Sequence, residues 1–70
     1  SLDEWRLGDL AFFQDREGKV THTGILIGPD RIIHASGKVR IDHFNEEGIL
    51  NLENKIYTHQ YSHLRRILPE

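Results

Sequence analysis

The stretch VTHTGILIGPDRIIHASGKVRIDHF, residues 20–44, decides the predicted fold because it contains three apolar runs separated by two short turns. Each run is rich in Val, Ile, Thr or Phe and is bounded by Gly, Pro or Asp, which is typical of β-strands joined by hairpins. Outward from this stretch, LAFF at residues 10–13 predicts a strand before it, and LRRIL at residues 64–68 predicts one after it. The sequence therefore predicts an antiparallel meander of four to five strands.

The segment after Phe44 has a different character. Residues 45–64 are mostly polar, and the spacing of their apolar positions predicts a loop with one short helix. The run at residues 20–27 is apolar on both faces, and such strands are usually covered on both sides. Two interpretations remain: helices on sequence outside these 70 residues cover the sheet, or the chain closes on itself as a small barrel. We favour the first, which makes the fold class α+β.

Size and composition exclude several classes of protein. Seventy residues make at most one small domain, which buries roughly 60% of the surface of its unfolded chain. The absence of cysteine excludes a disulfide framework and a thiolate zinc site. A net charge of -2 with mixed signs argues against nucleic-acid binding, and no apolar run approaches the roughly 20 residues of a membrane span. The opening residues do not resemble a signal peptide, and we expect the chain to be a piece of a longer protein.

Two of the five histidines interrupt strands that otherwise read as core sequence, namely His22 and His34. If GPD is a three-residue loop, both lie on one face of the sheet as diagonal neighbours, with α-carbons roughly 7–8 Å apart. A two-residue loop would place them on opposite faces. The other three, His43, His59 and His63, lie in polar surroundings and are expected at the surface.

One imidazole that orients another is chemistry suited to a general base. A neutral orienting group suffices for a thiol nucleophile, because cysteine ionises far more easily than serine. Ser36 shares a face with His34 but is more typical of a turn residue. A metal site of His22, His34 and His43 lacks a fourth ligand, so we predict no metal and no cofactor.

Five pieces of this sequence, in order and at matching spacings, resemble the second half of the NlpC and p-sixty family of cell-wall cysteine peptidases. The resemblance implies a papain-like α+β domain in which His22 is the catalytic base and His34 orients it. It implies that residues 1–70 are the C-terminal part, and that the nucleophilic cysteine belongs to a helical N-terminal part before Ser1. The pieces are GDLAFF (8–13), THTGILIG (21–28), IIHAS (32–36), VRI (39–41) and RRI (65–67).

The motif HASGKVRI at residues 34–41 is most similar to the dipeptidyl-peptidase branch of that family. This branch implies hydrolysis of the bond from γ-D-glutamate to an L-diamino acid in peptidoglycan stem peptides. It also implies a location in the cell envelope, periplasmic or secreted. We expect the chain alone to be inactive, and its partner to be the missing N-terminal half or a second copy covering Val20, Leu26 and Ile32. The alternative is a non-catalytic module that binds peptidoglycan peptides, or a degenerate peptidase half.

Overall fold

The computed structural model describes residues 4–66, which form a closed antiparallel barrel of six strands. Each strand pairs with the next along the chain, and the last pairs back onto the first. Residues 67 and 68 of the predicted last strand lie outside the described residues. The strands are β1 (Leu10–Gln14), β2 (Val20–Gly28), β3 (Arg31–Ser36), β4 (Lys38–Asn45), β5 (Gly48–Leu50) and β6 (Tyr57–Arg65).

The predicted α+β, papain-like fold with an open sheet of four to five strands and one short helix is wrong. The described chain is all-β, and no α-helix occurs between residues 4 and 66. The segment read as a loop with a helix forms β5 and β6 instead. The physical reason is closure: β6 pairs with both β1 and β5, so every strand of the described chain has a paired neighbour on each side. Among the described residues, no helix is long and apolar enough to cross a membrane.

The inner face of β2 is covered by the interior of the barrel itself. Leu26 and Ile32 are fully buried inside it, so the expectation that a missing half would leave them bare is wrong. Side chains alternate along each strand, and the other face of β2 and its neighbours points outward with its apolar residues exposed. The buried apolar core consists of Ala11, Phe13, Leu26, Ile32, Phe44 and Ile49.

The turn between β2 and β3 sets the relation of the two predicted site histidines. Gly28 pairs with Arg31 at the tip, so the loop has two residues rather than the predicted three. A register shift between Leu26 and Gly28 leaves Ile27 as an extra residue. This bulge restores the predicted register below it, where Gly24 pairs with His34. His22 and His34 therefore share the inner face despite the shorter loop.

Gly48, at the start of β5, generates a stability prediction. Its φ of 145° lies in the region that favours glycine, and an added Cβ would collide with the backbone carbonyl oxygen of His59. We expect Gly48→Ala to lower the free energy of unfolding by more than about 3 kcal/mol, because neither backbone can move within the ladder. Gly18→Ala is the matched control, since its φ is also positive but a Cβ there meets nothing within 4 Å.

The control should cost only about 1–2 kcal/mol, the penalty of the left-handed backbone alone. Urea denaturation followed by circular dichroism measures both variants. Equal losses for the two would contradict the close approach of β5 to β6.

Candidate functional site

The two predicted site histidines meet inside the barrel. His22 Nε2 lies 2.9 Å from His34 Nδ1, and the two rings are perpendicular with centroids 5.1 Å apart. The expectation that the two histidines lie on one face of the sheet is confirmed. Their positions follow from the strand alternation that also buries Leu26 and Ile32. His34 is 5% exposed, whereas His22 is partly open to solvent.

Asp42 continues this hydrogen-bond chain and is not among the site residues predicted from the sequence. Its Oδ2 lies 2.8 Å from His34 Nε2, and the residue is 1% exposed. Arg40 contacts both carboxylate oxygens, at 2.9 and 3.2 Å, and the backbone N–H of Leu52 donates to Oδ1 at 3.0 Å. These donors, Arg40 foremost, hold the pKa of Asp42 well below its usual range despite burial. The group is therefore a carboxylate at neutral pH.

The charge on Asp42 assigns the protons along the chain. A carboxylate only accepts, so His34 donates from Nε2, and in neutral His34 the other nitrogen, Nδ1, then accepts. His22 must donate to it from Nε2, which leaves the lone pair of His22 on Nδ1. Within residues 4–66, His22 Nδ1 has no hydrogen-bond partner. Burial, followed by the nearby His34, lowers the pKa of His22, so the ring is neutral at pH 7 and can accept a proton.

His59 on β6 completes the cluster, and the expectation that it lies at the surface is wrong. Its ring stacks on His22, with centroids 3.9 Å apart and an interplanar angle of 23°. Burial is the main cause that lowers the pKa of His59 to about 4, with smaller contributions from His22 and His34. One ring nitrogen from each of the three histidines lies within 4.8 Å of the others. His43 and His63 are partly buried but do not belong to this cluster.

A sequence signal existed for Asp42. In VRIDHF, strict alternation places Arg40, Asp42 and Phe44 on one face of β4, next to the inward face of β3. An acid between an arginine and an aromatic at inward positions is unusual and could have marked a buried ion pair. For His59 the signal was the alternating Tyr57, His59 and Tyr61, which the helical reading of that segment concealed.

Two open depressions adjoin the cluster. One, of about 600 Å³, lies beside His59 and is also lined by Thr21, Arg16 and Tyr57. The other, of about 430 Å³, lies beside His22. Asp9, by contrast, is a structural residue: it accepts from the backbone N–H of Arg6 at 2.8 Å and from Arg66 at 3.1 Å. The depressions open the histidine cluster to solvent at its His22 and His59 ends.

Comparison with known proteins places this site in a family. The sequence model described as the NlpC/P60 family matches residues 1–66. Neither the curated proteins nor the solved structures contain a match to this chain. The family is typically one of cysteine peptidases, which supports a hydrolase with a role related to the cell wall.

The neutral histidines generate a pH prediction. Because the pKa of folded His59 lies near 4 and that of an unfolded histidine near 6.5, the unfolded chain binds more protons between these values. Stability should therefore be greatest above pH 6.5 and fall as the pH drops towards 4. The lowered pKa of His22 changes the stability with pH in the same direction. The titratable side chains of His34 and Asp42 also face this cluster.

Thermal unfolding measured from pH 4.5 to 7.5 checks this, since most carboxylates stay ionised over that range. His59→Gln should flatten the dependence, whereas His63→Gln should leave it as in the wild type. A midpoint in the wild type that does not change with pH would contradict the neutral cluster.

Proposed function

The chain belongs to the NlpC/P60 family, and from this premise we propose that it supplies the general base of a cysteine peptidase acting on peptidoglycan stem peptides. The observation that carries the proposal is the hydrogen-bonded chain His22–His34–Asp42, with hydrogen bonds of 2.9 and 2.8 Å. The motif HASGKVRI supports the bond between γ-D-glutamate and an L-diamino acid as the one cleaved. The proposed location is accordingly the cell envelope, periplasmic or secreted.

In this proposal His22 is the catalytic residue. Its Nδ1 takes the proton of the thiol, so that an S–H bond breaks and an N–H bond forms, and the thiolate attacks the scissile carbonyl carbon. The imidazolium then returns that proton to the leaving amine. Water enters in a second round of the same proton transfers and hydrolyses the acyl-enzyme. His22 must remain in one orientation throughout, with Nδ1 towards the thiol.

His34 and Asp42 are positioning residues. The hydrogen bond between His22 Nε2 and His34 Nδ1 holds the His22 ring in place. The Asp42 carboxylate in turn holds His34 and favours positive charge on the two imidazoles. From the sequence alone, a neutral histidine is expected to orient the base by itself. The buried carboxylate behind it adds the electrostatic stabilisation of a Ser-His-Asp arrangement, transmitted through one more ring. Arg40 in turn keeps Asp42 ionised.

We propose that the nucleophile lies on an N-terminal part of the domain, since these 70 residues contain no cysteine. The thiolate would approach through the depression beside His22, which Phe12, Val20 and Ala35 also line. Attack requires reacting atoms about 3–3.5 Å apart. From this depression the outer surface continues onto Ile25, Ile33 and Ile41. Ile33 lies between the other two, because it pairs with Ile25 on one side and with Ile41 on the other. This apolar face would be covered by the N-terminal part.

The complete domain tests the proposed function. When the nucleophile-bearing part is supplied, cleavage of a γ-D-Glu–diamino-acid peptide should appear and should be blocked by a thiol-alkylating reagent. His22→Ala should lower kcat/KM by roughly 10²–10⁴-fold, the usual contribution of a general base. Asp42→Asn should lower kcat more than it raises KM and should shift the acidic limb of the pH profile. His43→Gln is the matched control and should keep wild-type rates.

The isolated chain should cleave nothing, because a base without a nucleophile forms no acyl intermediate. Activity of the chain alone would contradict the half-domain proposal. A complete domain that binds the peptide but never cleaves it would support a binding module instead.

The exposed apolar face generates a prediction about association. Ile41 is 52% exposed and Val39 is 70% exposed, beside Ile25 at 44%. Apolar patches beyond a few hundred Å² seldom stay bare in solution. The isolated chain should therefore self-associate at low micromolar concentration, and the double variant Val39→Thr, Ile41→Thr should weaken this.

Sedimentation velocity measures the effect, with Ile56→Thr as control, since Ile56 is 59% exposed but lies between β5 and β6. A wild-type chain that sediments as a well-folded monomer would contradict the proposed interface.

A further inference from the structure

The triple-histidine cluster has a property that the peptidase chemistry does not use. We propose that His22, His34 and His59 form a binding site for a divalent transition-metal ion of the Zn²⁺ type. One ring nitrogen from each lies within 4.8 Å of the other two, and the three come from different strands, β2, β3 and β6. Two of these rings also belong to the proposed peptidase site, but the metal proposal stands on the cluster itself.

The donor set is one that such ions prefer. Imidazole nitrogen binds Zn²⁺, Cu²⁺ and Ni²⁺ well, whereas Mg²⁺ and Ca²⁺ prefer oxygen. Three protein ligands leave one coordination position for water, which is the arrangement of open zinc sites. The cluster adjoins the open depressions at its His22 and His59 ends, so an ion and its water can enter.

Asp42 supplies the independent observation that separates this cluster from a chance grouping of rings. A histidine that binds a metal through one nitrogen commonly donates from the other to a carboxylate, which fixes its tautomer and orientation. His34 does this: its Nε2 donates to Asp42 at 2.8 Å, and its Nδ1 faces His22 at 2.9 Å. Arg40 and the N–H of Leu52 hold the carboxylate in place. The ligand nitrogen of His34 is thus already aimed into the cluster.

Metal binding requires a small separation of His22 from His34 and a reorientation of the His59 ring. Two nitrogens bound tetrahedrally at about 2.0–2.1 Å lie about 3.3–3.4 Å apart, so the 2.9 Å gap between His22 and His34 opens by about 0.4 Å. The ion replaces the proton in that gap, and His22 shifts to the tautomer that carries its proton on Nδ1. The His59 ring must tilt out of its stack on His22 so that the nitrogen lone pairs converge.

This exchange has a consequence for the proposed peptidase. The metal occupies Nε2 of His22 and leaves Nδ1 protonated, so the atom that would take the thiol proton is already filled. Metal binding and base function are therefore mutually exclusive, and this part of the inference rests on the proposed function. The metal site itself does not.

Titration of the 70-residue chain with ZnCl₂ in a calorimeter tests the site. The chain has no cysteine, so any strong binding must use imidazoles and carboxylates. We expect one ion per chain, and Co²⁺ should give the visible absorption bands of a tetrahedral site. His22→Gln and His59→Gln should each weaken Zn²⁺ binding at least as much as the roughly 10–100-fold typical of losing a supporting residue. His43→Gln and His63→Gln are matched controls and should bind as the wild type does.

A second measurement covers the case in which a cluster variant fails to fold. In the wild-type chain, ZnCl₂ should shift the ring resonances of His22, His34 and His59 and leave those of His43 and His63 in place. Equal shifts on all five rings, several weak sites per chain, or wild-type affinity in folded His59→Gln would each overturn the proposal.

Discussion

The pairing of β6 with β1 is the constraint on which the rest of this small structure depends. It turns a meander that would have two open edges into a barrel without them, and it gives a chain of 70 residues an enclosed interior. The same pairing carries His59 across the barrel to the ring of His22. The closed barrel, its core and the histidine site are therefore all consequences of the pairing of β6 with β1.

A polar chain runs through this interior, and its burial requires that every member be paired. An unpaired buried carboxylate would be strongly destabilising, whereas Asp42 receives donors from Arg40, His34 and Leu52. Among the described residues, no buried side-chain nitrogen or oxygen lacks a hydrogen-bond partner. Arg40 compensates most of the charge on Asp42 at one end of the chain, and the His22 imidazole at the other end is left neutral. A neutral base that is linked through His34 to a buried anion is suited to accept a proton.

One ring nitrogen, His22 Nε2, links the two proposals. Bonded to His34, it holds the base in place for a thiol, and bonded to a metal, it removes the base from the reaction. Any affinity of the cluster for a metal is therefore, by linkage, an opposing effect on the peptidase. The balance between metal binding and base function depends on His59, which belongs to the histidine cluster but not to the chain His22–His34–Asp42.

Several features of the protein could be predicted from the sequence because they depend on local periodicity. The strands at residues 10–13, 20–27, 31–36 and 39–44 follow from alternating β-branched residues between turn residues, and all four are observed. The family also follows, since its motifs are contiguous strings. The shared face of His22 and His34 followed from an even pairing register, although a bulge at Ile27 and not a three-residue loop produces it.

Other features depended on contacts between distant residues, which no local pattern contains. Whether the sheet is covered by helices or closes on itself depends on β6 reaching β1, and residues 57–65 taken alone fit a polar helix as well as a strand. The place of His59 on His22 follows only from that closure. Asp42 lay within a correctly predicted strand, yet its pairing with His34 required the β3–β4 register. The sequence by itself thus determined the first four strands and the pair of histidines. The tertiary structure decided the barrel, the carboxylate and the third ring, because long-range pairing alone brings them together.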